Sequence, residues 1–222
     1  MLVYEGKTKN VFANPDGTYT LKLKDDATGR DGVFDPGENA VGLSIEGLGR
    51  ESLRLSKYYF EQAIKAGVPC HYLGADLDKV EMTVRPAKAF GQGLEFICRL
   101  HADGSFVRRY GAYVQKGASL DYFVEATIKD DQRGDPPIGK EAAVLLGLLA
   151  GEEYDLCVAL TRQVAKIVGD DLAQKGLTLF DIKFEFGKCG EEILLIDEIS
   201  AGSMRVYQRE DSIAPMDLGK WF

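Results

Sequence analysis

The sequence predicts an α+β protein with antiparallel sheets, arranged as an N-terminal lobe over residues 1–86 and a C-terminal lobe over 87–222 about a cleft. Three observations predict this. Residues 2–24 hold three strand-like runs separated by turns. Residues 49–66 and 141–174 show helical apolar spacing. Residues 177–198 alternate apolar and charged side chains in the manner of a hairpin. Strands and helices come in blocks instead of alternating βαβ units, which favours segregated layers.

Taken in order, Leu2–Glu5, Lys9–Ala13 and Thr18–Lys24 read as a β-meander, with Asn14-Pro15-Asp16-Gly17 as a turn. Asp25–Gly32 reads as a loop, and polar, glycine-bearing sequence continues to about Gly47. Leu53, Leu55, Tyr58, Tyr59, Ala63 and Ile64 recur at helical spacing, and Gly67 stops that helix. Strands are expected at Lys79–Arg85, Gly93–His101 and Tyr122–Ile128, the last inside a turn-rich region that ends at Asp135-Pro136-Pro137. Glu141–Leu149 and Glu152–Gln174 are expected helices, the second with a stripe of Leu156, Val158, Leu160, Val164, Ile167 and Val168. Asp211–Phe222 is a short irregular tail.

Composition narrows the function. The 222 residues carry a formal charge of −8, which disfavours nucleic acid or an anionic membrane as partner. No apolar run approaches a membrane span and the N-terminus lacks a signal-peptide pattern, so cytoplasmic residence is expected. Cys70, Cys98, Cys157 and Cys189 are scattered without metal or disulfide spacing and read as reduced, mostly buried thiols.

In Leu177–Gly187, Phe180, Ile182, Phe184 and Phe186 share one face of a strand, and Asp181, Lys183 and Glu185 share the other. A turn at Lys188–Glu191 brings back a second strand ending on Asp197. Three carboxylates and an ammonium about one hairpin suit a divalent cation held against phosphates, since hard cations take oxygen ligands. A solvated, salt-bridged outer face has the same pattern, and alternation alone does not separate the two. Near the N-terminus, Gly6-Lys7-Thr8-Lys9 joins two strands through a glycine with lysines at alternate positions; a turn over nucleotide phosphates and a plain surface hairpin both fit it.

Together with Glu95-Phe96-Ile97-Cys98-Arg99 leading into Ala102-Asp103-Gly104-Ser105, Lys129-Asp130-Asp131 with Asp135-Pro136, the Asp26–Gly32 loop and Asp197-Glu198, these segments resemble, in order, the SAICAR synthetase family of purine biosynthesis. The resemblance implies a two-lobed, protein-kinase-like ATP-binding fold. It also implies an ATP- and Mg²⁺-dependent ligase joining L-aspartate to carboxyaminoimidazole ribotide (CAIR). By position, Lys7, Lys9 and Lys129 are implied to contact ATP, Glu185 and Asp197 to hold Mg²⁺, and Lys183 to neutralise charge as an acyl phosphate forms. Arg99, Ser105 and Arg205 are implied to grip the ribotide phosphate, and Asp181 to orient Lys183 or serve as a structural partner. A homo-oligomer is left open.

The sequence departs from the family pattern in three places. Ser200-Ala201-Gly202-Ser203-Met204-Arg205 lacks the usual proline and aspartate. His101 and Asp103 stand where an arginine and an alanine are usual, His101 reading as a packed or surface residue. The tail after Arg209 is too short for the family's further helix. These departures keep two alternatives in view: an amide ligase acting on another carboxylate-bearing sugar phosphate, and a small-molecule kinase.

Overall fold

The computed structural model describes residues 1–30, 32–37 and 40–222. Asp31, part of the expected 25–32 loop, lies outside them. The elements in chain order are β1 (Leu2–Glu5), β2 (Lys9–Ala13), β3 (Tyr19–Leu23), β4 (Asp26–Arg30), β5 (Val33–Phe34), β6 (Val41–Ser44), α1 (Leu48–Lys65), β7 (Tyr72–Asp76), β8 (Glu81–Val84), β9 (Lys88–Ala89) and β10 (Leu94–His101). There follow α2 (Gly104–Tyr110), β11 (Ser119–Ile128), β12 (Pro137–Ile138), α3 (Lys140–Leu145), α4 (Gly151–Gln174), β13 (Thr178–Cys189), β14 (Glu192–Ile196), β15 (Met204–Gln208), β16 (Asp211–Ser212) and α5 (Pro215–Leu218).

The chain divides into two compact units. The first comprises Met1–Lys88, Gly187–Ser203 and Ala214–Phe222; the second comprises Ala89–Phe186 and Met204–Ile213. The first thus takes in two later segments that the sequence expectation, dividing at residue 86, placed in the C-terminal lobe.

In the first unit an antiparallel sheet runs β1-β2-β3-β8-β7, and a small sheet runs β5-β4-β6. The 25–32 loop expectation is corrected: Asp26–Arg30 is a strand because Asp26, Ala27 and Thr28 pair with Ser44, Leu43 and Val41. Helix α1 buries Leu53, Leu55, Tyr59, Phe60 and Ala63, while Ile64, expected on that face, is exposed. Its start is fixed by a distant carboxylate. Asp25 accepts from the N–H groups of Gly47 and Gly49 at 3.1 and 2.9 Å, satisfying donors that no helical carbonyl can reach. Gly67 ends the helix at φ 80°, a left-handed conformation that glycine adopts without a Cβ clash. The tail packs back on α1: Phe222 meets Tyr58 and Tyr59 edge-on, and Arg54 donates to the carbonyls of Gly219 and Phe222 at 2.7 and 2.6 Å.

At Gly49, α1 runs close against the backbone at the end of β3. A Cβ there would lie 2.9 Å from the Lys24 carbonyl oxygen and 3.0 Å from its carbon, both main-chain atoms. Gly49→Ala is therefore expected to destabilise the fold by about 1–3 kcal/mol, as overpacking against rigid backbone does. A lowered urea midpoint would show it; an unchanged midpoint would mean that α1 can shift at no cost.

In the second unit the sheet runs β12-β11-β10-β13-β15-β16, antiparallel throughout the pairings observed. Helix α4 covers one face through Cys157, Leu160, Thr161, Val164, Ala165, Val168 and Leu172, the i, i+3, i+4 spacing of a buried stripe. Leu156, expected in that stripe, stands one position outside it and is exposed. Beneath lie Phe96, Ile182, Phe184 and Phe186, with Phe96 edge-on to Phe186 at 5.6 Å. Phe180 does not join them. Leu179 pairs with Val206 and Asp181 with Arg205, so Phe180 is the extra residue of a bulge and stacks on Tyr207 instead. No helix among the described residues is long and apolar enough to cross a membrane.

Candidate active site

In the second unit, register assembles the charged face. Glu95, Ile97 and Arg99 of β10 stand opposite Glu185, Lys183 and Asp181 of β13. On its other side β10 pairs with β11, placing Thr127 and Glu125 opposite Glu95 and Ile97. Asp181 faces Arg205 across to β15. Side chains on directly opposed residues of neighbouring strands share a face, so eight polar residues scattered through the sequence become, around Ile97, one polar surface. It is not a solvated outer face: Arg99 is 2% exposed, Asp181 3% and Glu95 5%. Charges removed from water to that degree persist only when paired and hydrogen-bonded.

Two connected groups meet that requirement. Asp181 accepts from Arg99 at 3.1 Å and from Arg205 at 3.0 and 2.9 Å. Arg99 also donates to Glu125 at 2.7 Å and to the Ser105 hydroxyl at 2.9 Å, and Arg109 donates to both Glu125 oxygens at 2.6 and 2.5 Å. Burial pushes the Asp181 carboxyl above its ordinary range, against the pull of Arg205 and Arg99. Gly104 lets Arg205 approach: φ is 51°, and a Cβ would lie 2.5 Å from a guanidinium nitrogen.

The other group centres on Lys183. Its ammonium donates to Glu95 at 2.7 Å, Thr127 donates to the second Glu95 oxygen at 3.1 Å, and Lys129 donates to Glu185 at 2.6 Å. Burial works against the Lys183 charge, but the Glu95 and Glu185 carboxylates outweigh it and hold the ammonium above its ordinary pKa.

The first unit carries its own group. Lys9 on β2 bridges Asp197 and, at 3.1 Å, Glu198. Lys7 lies exposed in the bend just before β2. That bend is tight: Gly6 N–H donates to the Lys9 carbonyl at 2.9 Å, and a Cβ on Gly6 would lie 2.9 Å from the same oxygen. Lys24 donates to the Gly6 carbonyl at 2.8 Å. Asp197 has φ 71°, uncommon for a residue with a side chain. Its carbonyl is 3.0 Å from His71 Nε2. Burial lowers the His71 pKa to about 4, so at neutral pH the ring is uncharged and its Nε2–H donates to that carbonyl.

In the second unit the two groups carry the marks of a phosphate- and carboxylate-handling site: ammonium and guanidinium groups held in place by buried carboxylates. The SAICAR synthetase family model matches residues 2–220. The chain belongs to the SAICAR synthetase family. The phosphoribosylaminoimidazole-succinocarboxamide synthase of Clostridium tetani is 53% identical over 99% of this chain and 97% of its own length. That of Finegoldia magna is 33% identical over 94% and 86%. Among solved structures, a SAICAR synthetase in complex with ADP superposes with a TM-score of 0.82 at 30% identity, covering 94% of this chain and 86% of its own. The Pyrococcus horikoshii SAICAR synthetase gives 0.79 at 28% identity, covering 92% and 86%. The architecture is accordingly the α+β fold of SAICAR synthetases.

Within that fold, the residues singled out from sequence fall as follows. Arg99, Ser105 and Arg205 come together through Asp181, and Lys129 reaches Glu185. Glu185 belongs to the second unit and Asp197 to the first. Asp181 does not bond Lys183, two residues along the strand; its oxygens go to the arginines, and Lys183 takes Glu95. Sequence reasoning missed Glu95, Glu125 and Arg109 as members of the site, since only the pairing of β10 with β11 and β13 brings them there. Glu198, quoted above only as part of the Asp197-Glu198 pair, joins its group through Lys9 of β2. Among the described residues no three His, Cys, Asp or Glu side chains converge as a metal cage.

Proposed function

We propose that this SAICAR synthetase joins L-aspartate to CAIR at the expense of ATP, giving SAICAR, ADP and phosphate in de novo purine biosynthesis, as a cytoplasmic enzyme. The observation that carries this is the 53% identity, over nearly the whole of both chains, to a synthase named for that reaction. Nucleotide use is further supported by the ADP-bound relative.

The chemistry is a phosphoryl transfer followed by acyl transfer. The CAIR carboxylate oxygen attacks the γ-phosphorus, the bond to the β-phosphate oxygen breaks, and ADP leaves. The aspartate amine then attacks the acyl carbon, the C–O bond breaks, and phosphate departs as the amine loses a proton. Such reactions are accelerated chiefly by positioning and charge neutralisation. Lys7, Lys9 and Lys129 are assigned to the ATP phosphates. Lys183 is assigned to the oxyanions of the acyl phosphate, its charge maintained by Glu95 and Glu185. Arg99, Ser105 and Arg205 are assigned to the ribotide phosphate, which guanidinium forks match in geometry.

Glu185 and Asp197 are the carboxylates assigned to Mg²⁺. Their hard oxygen donors fit that ion, because magnesium takes one or two carboxylates and fills its shell with water and substrate phosphates. When bound it supplies charge neutralisation between phosphate oxygens.

ADP release, measured with CAIR and L-aspartate omitted in turn and with the product's mass checked, tests the assignment. Release that needs both substrates and yields SAICAR is expected. Release without aspartate that leaves a stable phosphorylated product by mass would identify a kinase, and silence beside an active control enzyme would indicate another carboxylate. Glu185→Gln and Asp197→Asn are each expected to lower ATP turnover by more than the roughly 10–100-fold that losing an outer-sphere partner costs. Circular dichroism should stay unchanged. Near-normal turnover with either would undo the metal assignment.

A further inference from the structure

Beside the two arginines lies a hydrogen-bonded pair to which the chemistry above gives no role. Arg205 and Tyr207 are two apart on β15 and leave the same face of the strand. The Tyr207 hydroxyl donates to Asp103 Oδ2 at 2.7 Å, and Asp103 Oδ1 accepts from the Gly104 N–H at 2.8 Å. Gly104 is the residue against whose backbone the Arg205 guanidinium lies. Ser105, next along, holds Arg99, and Arg99 and Arg205 meet on Asp181. The contacts close a ring: Tyr207, Asp103, the Gly104-Ser105 turn, Arg99, Asp181, Arg205, and back along β15 to Tyr207.

The pair is itself held firmly. Asp103 and Tyr207 are both buried. Phe180, displaced by the β13 bulge, stacks on the Tyr207 ring with centroids 3.9 Å apart, and His101 lies 4.8 Å from Phe180 on centroids. The Lys116 ammonium lies 5.3 Å from the centre of the Tyr207 ring and 3.6 Å from Asp103 Oδ1.

We infer that Asp103 and Tyr207 form a positioning strut, fixing the Gly104-Ser105 turn against β15 so that Ser105, Arg99 and Arg205 present one preformed cradle to a phosphate monoester. This rests on the assignment of those three residues to the ribotide phosphate. Neither strut residue touches the phosphate. Their effect is to order its ligands before binding, which removes an ordering cost from association.

The test is a full kinetic comparison of Tyr207→Phe, Asp103→Ala and Asp103→Asn, with Arg205→Lys and Ser105→Ala as references. Tyr207→Phe and Asp103→Ala are expected to raise the ribotide KM about 3–10-fold, the usual worth of one hydrogen bond. The KM for ATP, the KM for aspartate and kcat should hold. Asp103→Asn, whose amide oxygen still accepts from Gly104 and whose NH₂ can donate to the tyrosine oxygen, is expected to recover most of the loss. The double variant Asp103→Ala/Tyr207→Phe should be no worse than Asp103→Ala alone. If Arg205→Lys raises the ribotide KM and Tyr207→Phe does not, the strut is overturned and the phosphate assignment stands. If neither Arg205→Lys nor Ser105→Ala moves it, the phosphate assignment itself falls. An even rise in all three KM values with falling kcat would mark a merely structural role and also overturn the strut. Should Asp103→Ala fail to fold, Tyr207→Phe decides alone, since it removes a single oxygen and keeps the stacked ring.

Discussion

Lys183→Met is expected to lower kcat for SAICAR formation by about 10²–10³, the usual effect of deleting one preorganised group that stabilises transition-state charge. The physical basis is the environment of the ammonium. Lys183 lies on the central strand β13, bonded to Glu95 at 2.7 Å, and nearby carboxylates keep its pKa above the ordinary value. It therefore stays protonated throughout the neutral range and presents a fixed positive charge. Methionine preserves the length and packing of the side chain. Glu95 keeps the Thr127 hydroxyl as a donor, so the fold should survive. Steady-state kinetics with a thermal melt checks both halves. Near-normal turnover would remove Lys183 from the catalytic machinery, and a collapse of the melt would mean that its main work is to neutralise Glu95.

Asp181→Asn should have its largest effect on stability. One carboxylate faces two guanidiniums, and both Arg99 and Asp181 are almost wholly buried. Removing one member of a buried ionic group leaves the others charged in a poor solvent, at about 3–5 kcal/mol. Asparagine keeps the shape and one acceptor oxygen, so the loss measures charge more than packing. Urea unfolding of the variant beside the parent should show the drop. An unchanged midpoint would mean that Glu125, which Arg99 and Arg109 both contact, suffices to hold the cluster.

What the sequence made legible were features set within a few residues. The alternation of Ile182, Lys183, Phe184, Glu185 and Phe186 sorts one face from the other with no knowledge of partners, and Gly6 and Gly67 mark bends that are locally determined. What stayed hidden depends on distant pairing. Asp26–Arg30 carries a glycine and polar residues, the marks of a loop, yet it is a strand because Val41–Ser44 lies beside it. Phe180 reads as core by alternation, and one inserted residue in the pairing with β15 turns it out. α2 was hidden among turn formers, its start capped by Asp103. α3 is shorter than expected, ending at Leu145 shortly before Gly147 at φ 67°. Glu95 and Glu125 look like ordinary strand charges until register sets them beside Lys183 and Arg99.

The arginine cluster also bears on how substrate reaches the enzyme. Arg99, Arg109 and Arg205 against Asp181 and Glu125 leave a surplus of one positive charge in that cluster, inside a protein whose formal charge is −8. ATP and a sugar phosphate are anions, so the far field of the protein repels both. The local surplus is felt only within a Debye length, about 8 Å at physiological salt. Such an enzyme captures its substrates at short range without steering them from afar. Added salt, which slows encounter for electrostatically guided enzymes, would here relieve repulsion first.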